Sequence, residues 1–113
     1  MGRRKINVYT KLNNQEESNE MFAIISNDVI KYIDLENNKM IIDMLNNIMI
    51  RENSDYLYTI DFNKNNIDIY MKKLRKHLDK DIKTLIIEKT RKHYLVRYLL
   101  SDDNVYNEYY VNF

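Results

Sequence analysis

The chain has 113 residues, with one Gly, no Pro, no Cys, 31% charged residues and a formal net charge of +1. At that length folding buries roughly two thirds of the surface the unfolded chain exposes, enough for one core, so residues 1–113 are read as one domain. Lack of Cys excludes disulfides and thiolate metal sites, and one Gly excludes a glycine-rich phosphate loop.

A hydrophobic content of 44%, including 10 Tyr and 15 Ile, is too high for a disordered chain. No apolar run approaches the roughly 20 residues that cross a bilayer. The start, Met1-Gly2-Arg3-Arg4-Lys5, lacks the apolar stretch of a secretory signal. The expectation is a cytoplasmic protein without membrane contact. Scarce Gly and Pro argue first for helices, because these residues punctuate β proteins. Asparagine reverses that reading. There are 16 Asn, many in pairs at intervals along the chain, and Asn tolerates positive φ better than other residues with a Cβ, so the pairs can serve as turns.

The first predicted strand carries Ile6, Val8, Thr10 and Leu12 on one face and ends at Asn13-Asn14. Further turns are marked by Asn27-Asp28 and Asn37-Asn38. Met40, Ile42 and Met44, followed by Ile48 and Ile50, predict an inward-facing set on a hairpin around Asn46-Asn47. Beyond Asn53-Ser54, Tyr56, Tyr58, Ile60 and Phe62 alternate with Leu57, Thr59 and Asp61. After Asn65-Asn66, Ile67, Ile69 and Met71 alternate with Asp68, Tyr70 and Lys72. Residues 69 to 92 admit two drawings. Leu74, Leu78, Ile82 and Leu85 fit an amphipathic helix, whereas the β-branched run Ile82, Thr84, Ile86, Ile87 favours two strands about a polar turn at Asp79-Lys80-Asp81. A single helical turn near 72 to 77 is compatible with the strands. Tyr94, Val96, Tyr98 and Leu100 form the next face, and after Asp102-Asp103-Asn104 the last is Val105, Asn107, Tyr109, Val111 and Phe113. Eight to ten short strands without crossover helices predict an all-β fold, a single antiparallel up-and-down β-barrel. A barrel is favoured over a sandwich because closure removes edges that this chain has no Pro to protect.

The runs IMIRENSDYLYTIDFNKNNIDIYMKK, IKTLIIEK and HYLVRYLLSDDNVYNEYYVNF resemble the C-terminal half of the YwiB-like family of small uncharacterised bacterial proteins. In that pattern an Arg and a turn precede an aromatic strand ending in Phe, followed by two strands and a final hairpin. Arg51, Phe62, Tyr98 and Leu100 stand at the matching places. The likeness lies mainly in residues 48–113 and implies a calycin-like barrel, related in shape to lipocalins, in a bacterial protein. It implies no particular activity.

Catalysis finds little vocabulary here. His77 and His93 lie in basic polar stretches, without Ser or Asp at a motif spacing, and read as solvated surface residues. The Asp79/Asp81 and Asp102/Asp103 pairs stand where turns are expected, which Asx-turn bonding explains. No HxH, HExxH or EF-hand spacing is present. The expectation is a non-enzymatic protein with no catalytic residue, metal or cofactor.

Charge distribution says more than net charge. Residues 64 to 97 carry 11 Lys and Arg against 4 Asp and Glu, while both flanking segments are net acidic. Lys72, Lys73, Arg75 and Lys76, with Lys89, Arg91, Lys92 and His93, are expected to form one basic patch beside Tyr70 and Tyr94. Such a patch suits an acidic protein or single-stranded nucleic acid, the second through phosphate contacts and base stacking. Tyrosine gives the other signal. Tyr56, Tyr58, Tyr94, Tyr98 and Tyr109 fall on faces assigned inward, where phenols line a barrel amphipathically. Arg51 and Arg97 interrupt apolar strands; either both point outward or one enters the barrel to meet Asp61, Glu52 or Glu108.

Two functions follow. The first is a binding module that holds a small amphipathic ligand inside the barrel through Tyr56, Tyr58, Tyr98 and Arg97, with Arg51 as a further polar contact. The alternative is an interaction module, including a phage or mobile-element inhibitor, acting through the basic patch of residues 72–76 and 89–93.

Overall fold

A computed structural model describes residues 2–100 and 104–113. These residues form ten strands: β1 (Gly2–Leu12), β2 (Gln15–Ser26), β3 (Val29–Ile33), β4 (Lys39–Asp43), β5 (Ile48–Glu52), β6 (Tyr56–Asp61), β7 (Asn66–Met71), β8 (Lys76–Lys89), β9 (His93–Leu100) and β10 (Tyr106–Asn112). Each pairs antiparallel with its chain neighbours, and β1 pairs with β10, closing the barrel. The up-and-down barrel is therefore the observed fold. Period-two alternation dictates it: Ile6 and Val8, Ile30 and Tyr32, Met40 and Ile42, Tyr94, Val96 and Tyr98, and Tyr109 and Val111 are buried, and the residues between them face outward.

Asparagine writes the turns. Asn13, Asn14, Asn27, Asn37, Asn47 and Asn65 all have positive φ, as do Asp28 and Arg75. The β4–β5 and β6–β7 turns share one recipe. Asp43 Oδ1 accepts from the backbone N–H groups of Leu45 and Asn46, and Asp61 Oδ1 from those of Asn63 and Lys64. Each turn then closes on a left-handed Asn, Asn47 or Asn65. The β7–β8 turn has neither device: Met71 holds the Asp position and Arg75 takes the left-handed one, at φ 51.

Residues 69 to 92 are strands, as favoured, but the turn falls at residues 72–75 and not at Asp79-Lys80-Asp81. Asp79 and Asp81 lie within β8, opposite Asp68 and Asn66, so their expected role in an Asx turn does not hold. Lys76 to Asp81, polar but for Leu78, look like a turn in sequence because this half of β8 is exposed throughout and, among the described residues, pairs only with β7. In β5 the inward residues are Met49 and Arg51, not Ile48 and Ile50. The cause is register: pairing Asp43 with Ile48 sets Met49 beside inward-facing Ile42. Val105 is exposed ahead of β10, and Asp102 and Asp103 lie outside the described residues.

The two ends of the barrel differ. At the lower end, which carries both chain termini, backbone bonds stitch neighbouring turns together: Met44 N–H to Asp28 O, Phe62 N–H to Asn47 O, Ile82 N–H to Asn65 O and Phe113 N–H to Lys92 O. Phe62, Ile42, Met44, Met49 and Tyr94 fill the space above them. The Tyr94 phenol donates to Asn47 Oδ1 at 3.0 Å, so the packed end also satisfies its buried hydroxyl. At the upper end the β1–β2 hairpin outruns β3. Gln15 to Ile25 of β2 pair with β1, but among the described residues only Ile24, Ile25 and Ser26 pair with β3. The unpaired stretch carries Glu16, Glu17 and Glu20, charges that discourage edge-to-edge association.

Candidate functional site in the open half of the barrel

An eight-stranded barrel is just filled by its side chains, and ten strands enclose more room. Here the surplus collects at the upper end. A cavity of about 210 Å³ lies among β1 and β5–β10, floored by Met49, Ile60, Ile67 and Ile69 and faced by Arg51, Tyr58, Tyr98, Tyr109 and Asn107. A smaller space of about 80 Å³ opens beside it where β2 parts from β3, bordered by Glu17, Tyr32, Asp34 and Glu36. Leu12, Arg51 and Tyr109 line both and so stand between them. Larger depressions at Phe22, Ile24, Ile33 and Ile41 on the outer wall, and at Met44, Lys89 and Phe113 below, are shallow and open to solvent.

Arg51 enters the barrel because its register opposes Met40 on one side and Tyr58 on the other, both inward-facing positions. One amino group, Nη2, reaches the exposed Glu36 carboxylate at 3.2 Å. Its Nε–H is buried with no hydrogen-bond partner among the described residues. A buried donor left unpaired costs about 1–3 kcal/mol, so evolution tolerates one where something else is gained. The phenols around it behave alike. Tyr9 and Tyr94 donate to Glu16 and Asn47, whereas those of Tyr32, Tyr58, Tyr98 and Tyr109 have no protein partner among the described residues. Tyr98 is 4% exposed and Tyr109 6%. Burial pushes the phenols of Tyr32, Tyr98 and Tyr109 well above the usual tyrosine range, and the nearby Arg51 charge partly opposes this in each. At neutral pH all three remain protonated and can donate.

Among the residues expected at the site, Tyr58, Tyr98 and Arg51 come together. Arg97 and Tyr56 do not. Val96 and Tyr98 point inward, so Arg97 points outward, where it clasps Glu108 at 2.7 Å and lies over the Tyr106 ring at 4.5 Å. Glu108 is the partner expected of an Arg entering the barrel, whereas this pair is a cross-strand clamp on the outer wall. Tyr56 sits at the rim, 39% exposed, its ring 5.8 Å from that of Tyr58, and does not line the cavity. Tyr109, Tyr32 and Asn107 join the site instead. Tyr109 and Asn107 were legible as inward, and Tyr32 shares the alternation of Ile30 in β3. Lys80 also lines the cavity, concealed in sequence by the apparent turn.

The basic clusters do not make one patch. Lys72, Lys73, Arg75 and Lys76 stand at the upper end of the 14-residue β8, and Arg91 and Lys92 at its lower end. Lys72 is bound to Glu52 and to Asn53 O at 2.8 Å each, Lys73 lies 3.7 Å from Asp55, and Lys89 pairs with Asp28 at 2.8 Å. Tyr94 is wholly buried and offers no stacking face, and the Tyr70 ring lies against His77 at 4.7 Å. His77 pairs with Asp68 and His93 with Glu88, each at 3.0 Å. Among the described residues no cluster of His, Asp and Glu could hold a metal ion. No family model, curated protein or solved structure matches the chain.

Proposed function

We propose that the protein is a binding module that takes a small amphipathic molecule into the open half of its barrel. The observation that carries this reading is the cavity of about 210 Å³ with an apolar floor and, facing it, phenols that have no protein partner among the described residues. Ligand pockets combine apolar walls with a few convergent polar groups in this way. A molecule seated there covers Met49, Ile60, Ile67 and Ile69 and accepts hydrogen bonds from Tyr58, Tyr98 and Tyr109. The likeness of residues 48–113 to YwiB-like proteins accords with a barrel of this kind and adds no activity.

The reading is tested by thermal shift against a panel of one-ring amphiphiles, using the intact chain and Ile69→Phe, which fills the cavity. A ligand at a hundredfold excess over its Kd stabilises by about 2.7 kcal/mol. Several panel members should raise the melting temperature of the parent and not of Ile69→Phe. Equal shifts in both proteins, or none in either, refute it.

A further inference from the structure

The reading of the cavity as a small-molecule site leaves the charge of the ligand open, and the lining decides it. Two cationic side chains border the cavity, Arg51 and Lys80, and no carboxylate lines it among the described residues. The acidic groups of this end, Glu17, Asp34 and Glu36, border the smaller space on the other side of Arg51. Glu36 occupies only Nη2 of Arg51, and that pair is held from outside by a side chain 71% exposed. Exposed pairs contribute about 0–1 kcal/mol to stability, so a ligand that draws Arg51 away from Glu36 gives up little.

We propose that the ligand is an organic acid whose carboxylate is held by the Arg51 guanidinium and accepts from the phenols of Tyr98 and Tyr109, with its hydrocarbon part on Ile67 and Ile69. A guanidinium presents its donors in a planar fork that matches a carboxylate, and charge-assisted bonds are roughly twice as strong as neutral ones. A cationic ligand meets Arg51 and Lys80 with no carboxylate among the described residues that line the cavity. A neutral one satisfies the phenols and leaves the field of Arg51 unused. Size narrows the class. An engineered apolar cavity of about 150 Å³ holds benzene, so about 210 Å³ suits one ring, or a chain of similar bulk, with a short acidic arm.

The test is calorimetric titration of the full chain with three probes of one shape, 4-phenylbutyrate, 4-phenylbutanamide and 4-phenylbutylamine, at fixed ionic strength. The acid should bind at least about tenfold more tightly than the amide, and the amine should not bind. Arg51→Met should weaken the acid by at least about tenfold and leave the amide within about threefold. Urea unfolding confirms that the variant is folded, and Lys80→Gln gives a second, exposed substitution with the same expected direction. Binding of the amide or the amine as tightly as the acid, or an Arg51→Met protein that still binds the acid normally, overturns the anionic assignment while the cavity reading stands. Binding of none of the three overturns both.

Discussion

Replacing Arg51 by Met should make the protein more stable. Three contributions decide the sign. Removing the buried, unpartnered Nε–H relieves a desolvation cost of about 1–3 kcal/mol. Losing the contact to Glu36 forfeits about 0–1 kcal/mol, because the two side chains are 31% and 71% exposed. Met keeps the apolar stem that lies between Met40 and Tyr58. The net is a gain of about 1 kcal/mol, which at this chain length raises the melting temperature by about 4 °C. Urea unfolding measures it, with an unchanged m-value showing that the denatured state is not the cause. Glu36→Gln, which removes only the exposed partner, should stay within about 0.5 kcal/mol of the parent. A loss of more than about 1 kcal/mol in Arg51→Met would mean that Arg51 is a structural strut, and would refute the reasoning. A residue that costs stability and gains binding is what a ligand contact looks like energetically.

Asn47 carries two duties, a left-handed backbone and the acceptor for Tyr94. Asn47→Ala should lose about 2–3 kcal/mol, about 1 from the backbone and the rest from an unpaired phenol, and Asn47→Gly should recover the backbone part. Equal losses in the two variants, read by urea unfolding, contradict the division. Arg75→Gly should stabilise by about 0.5–1 kcal/mol, since Arg75 holds φ 51 in a turn without Asx support; a lowered melting temperature contradicts it. Burial raises the phenols of Tyr32, Tyr94, Tyr98 and Tyr109 in the folded state. Their contribution is full below the unfolded value of about 10 and is lost as pH rises past it, because the unfolded chain then releases protons the folded one retains. Ultraviolet titration should show these four ionising only with unfolding, whereas Tyr9, raised to about 12 chiefly by its bond to exposed Glu16, ionises in the folded protein. Titration of every phenol near 10 without unfolding contradicts this.

The barrel was legible because its two signals are local. Alternation assigned the faces of β1, β9 and β10, and Asn pairs placed turns at Asn13-Asn14 and Asn27-Asp28, where both residues have positive φ. The failures came where local signals conflict with pairing. Ile48-Met49-Ile50-Arg51 carries apolar residues on both faces, so alternation alone leaves its orientation open, and only the loop between Asp43 and Ile48 decides that Met49 and Arg51 face inward. That choice also decides the site, since it brings Arg51 inside and leaves the outward Arg97 to Glu108. Likewise β8 spans two neighbours in succession, and its first half reads as a turn because its side chains are exposed and, among the described residues, it pairs with β7 alone. The division of the interior into a packed end and a hollow end had no sequence signal, because Tyr94 and Tyr98 look alike in the strand that carries both.

The tyrosine rings test that division directly. With ring-labelled tyrosine, NMR titration of the intact chain with 4-phenylbutyrate should shift Tyr58, Tyr98 and Tyr109, which line the cavity, and leave Tyr94, locked to Asn47 in the packed end, unmoved. Shifts confined to the outward rings of Tyr70, Tyr106 and Tyr110, with the cavity rings unmoved, would contradict a ligand held inside the barrel.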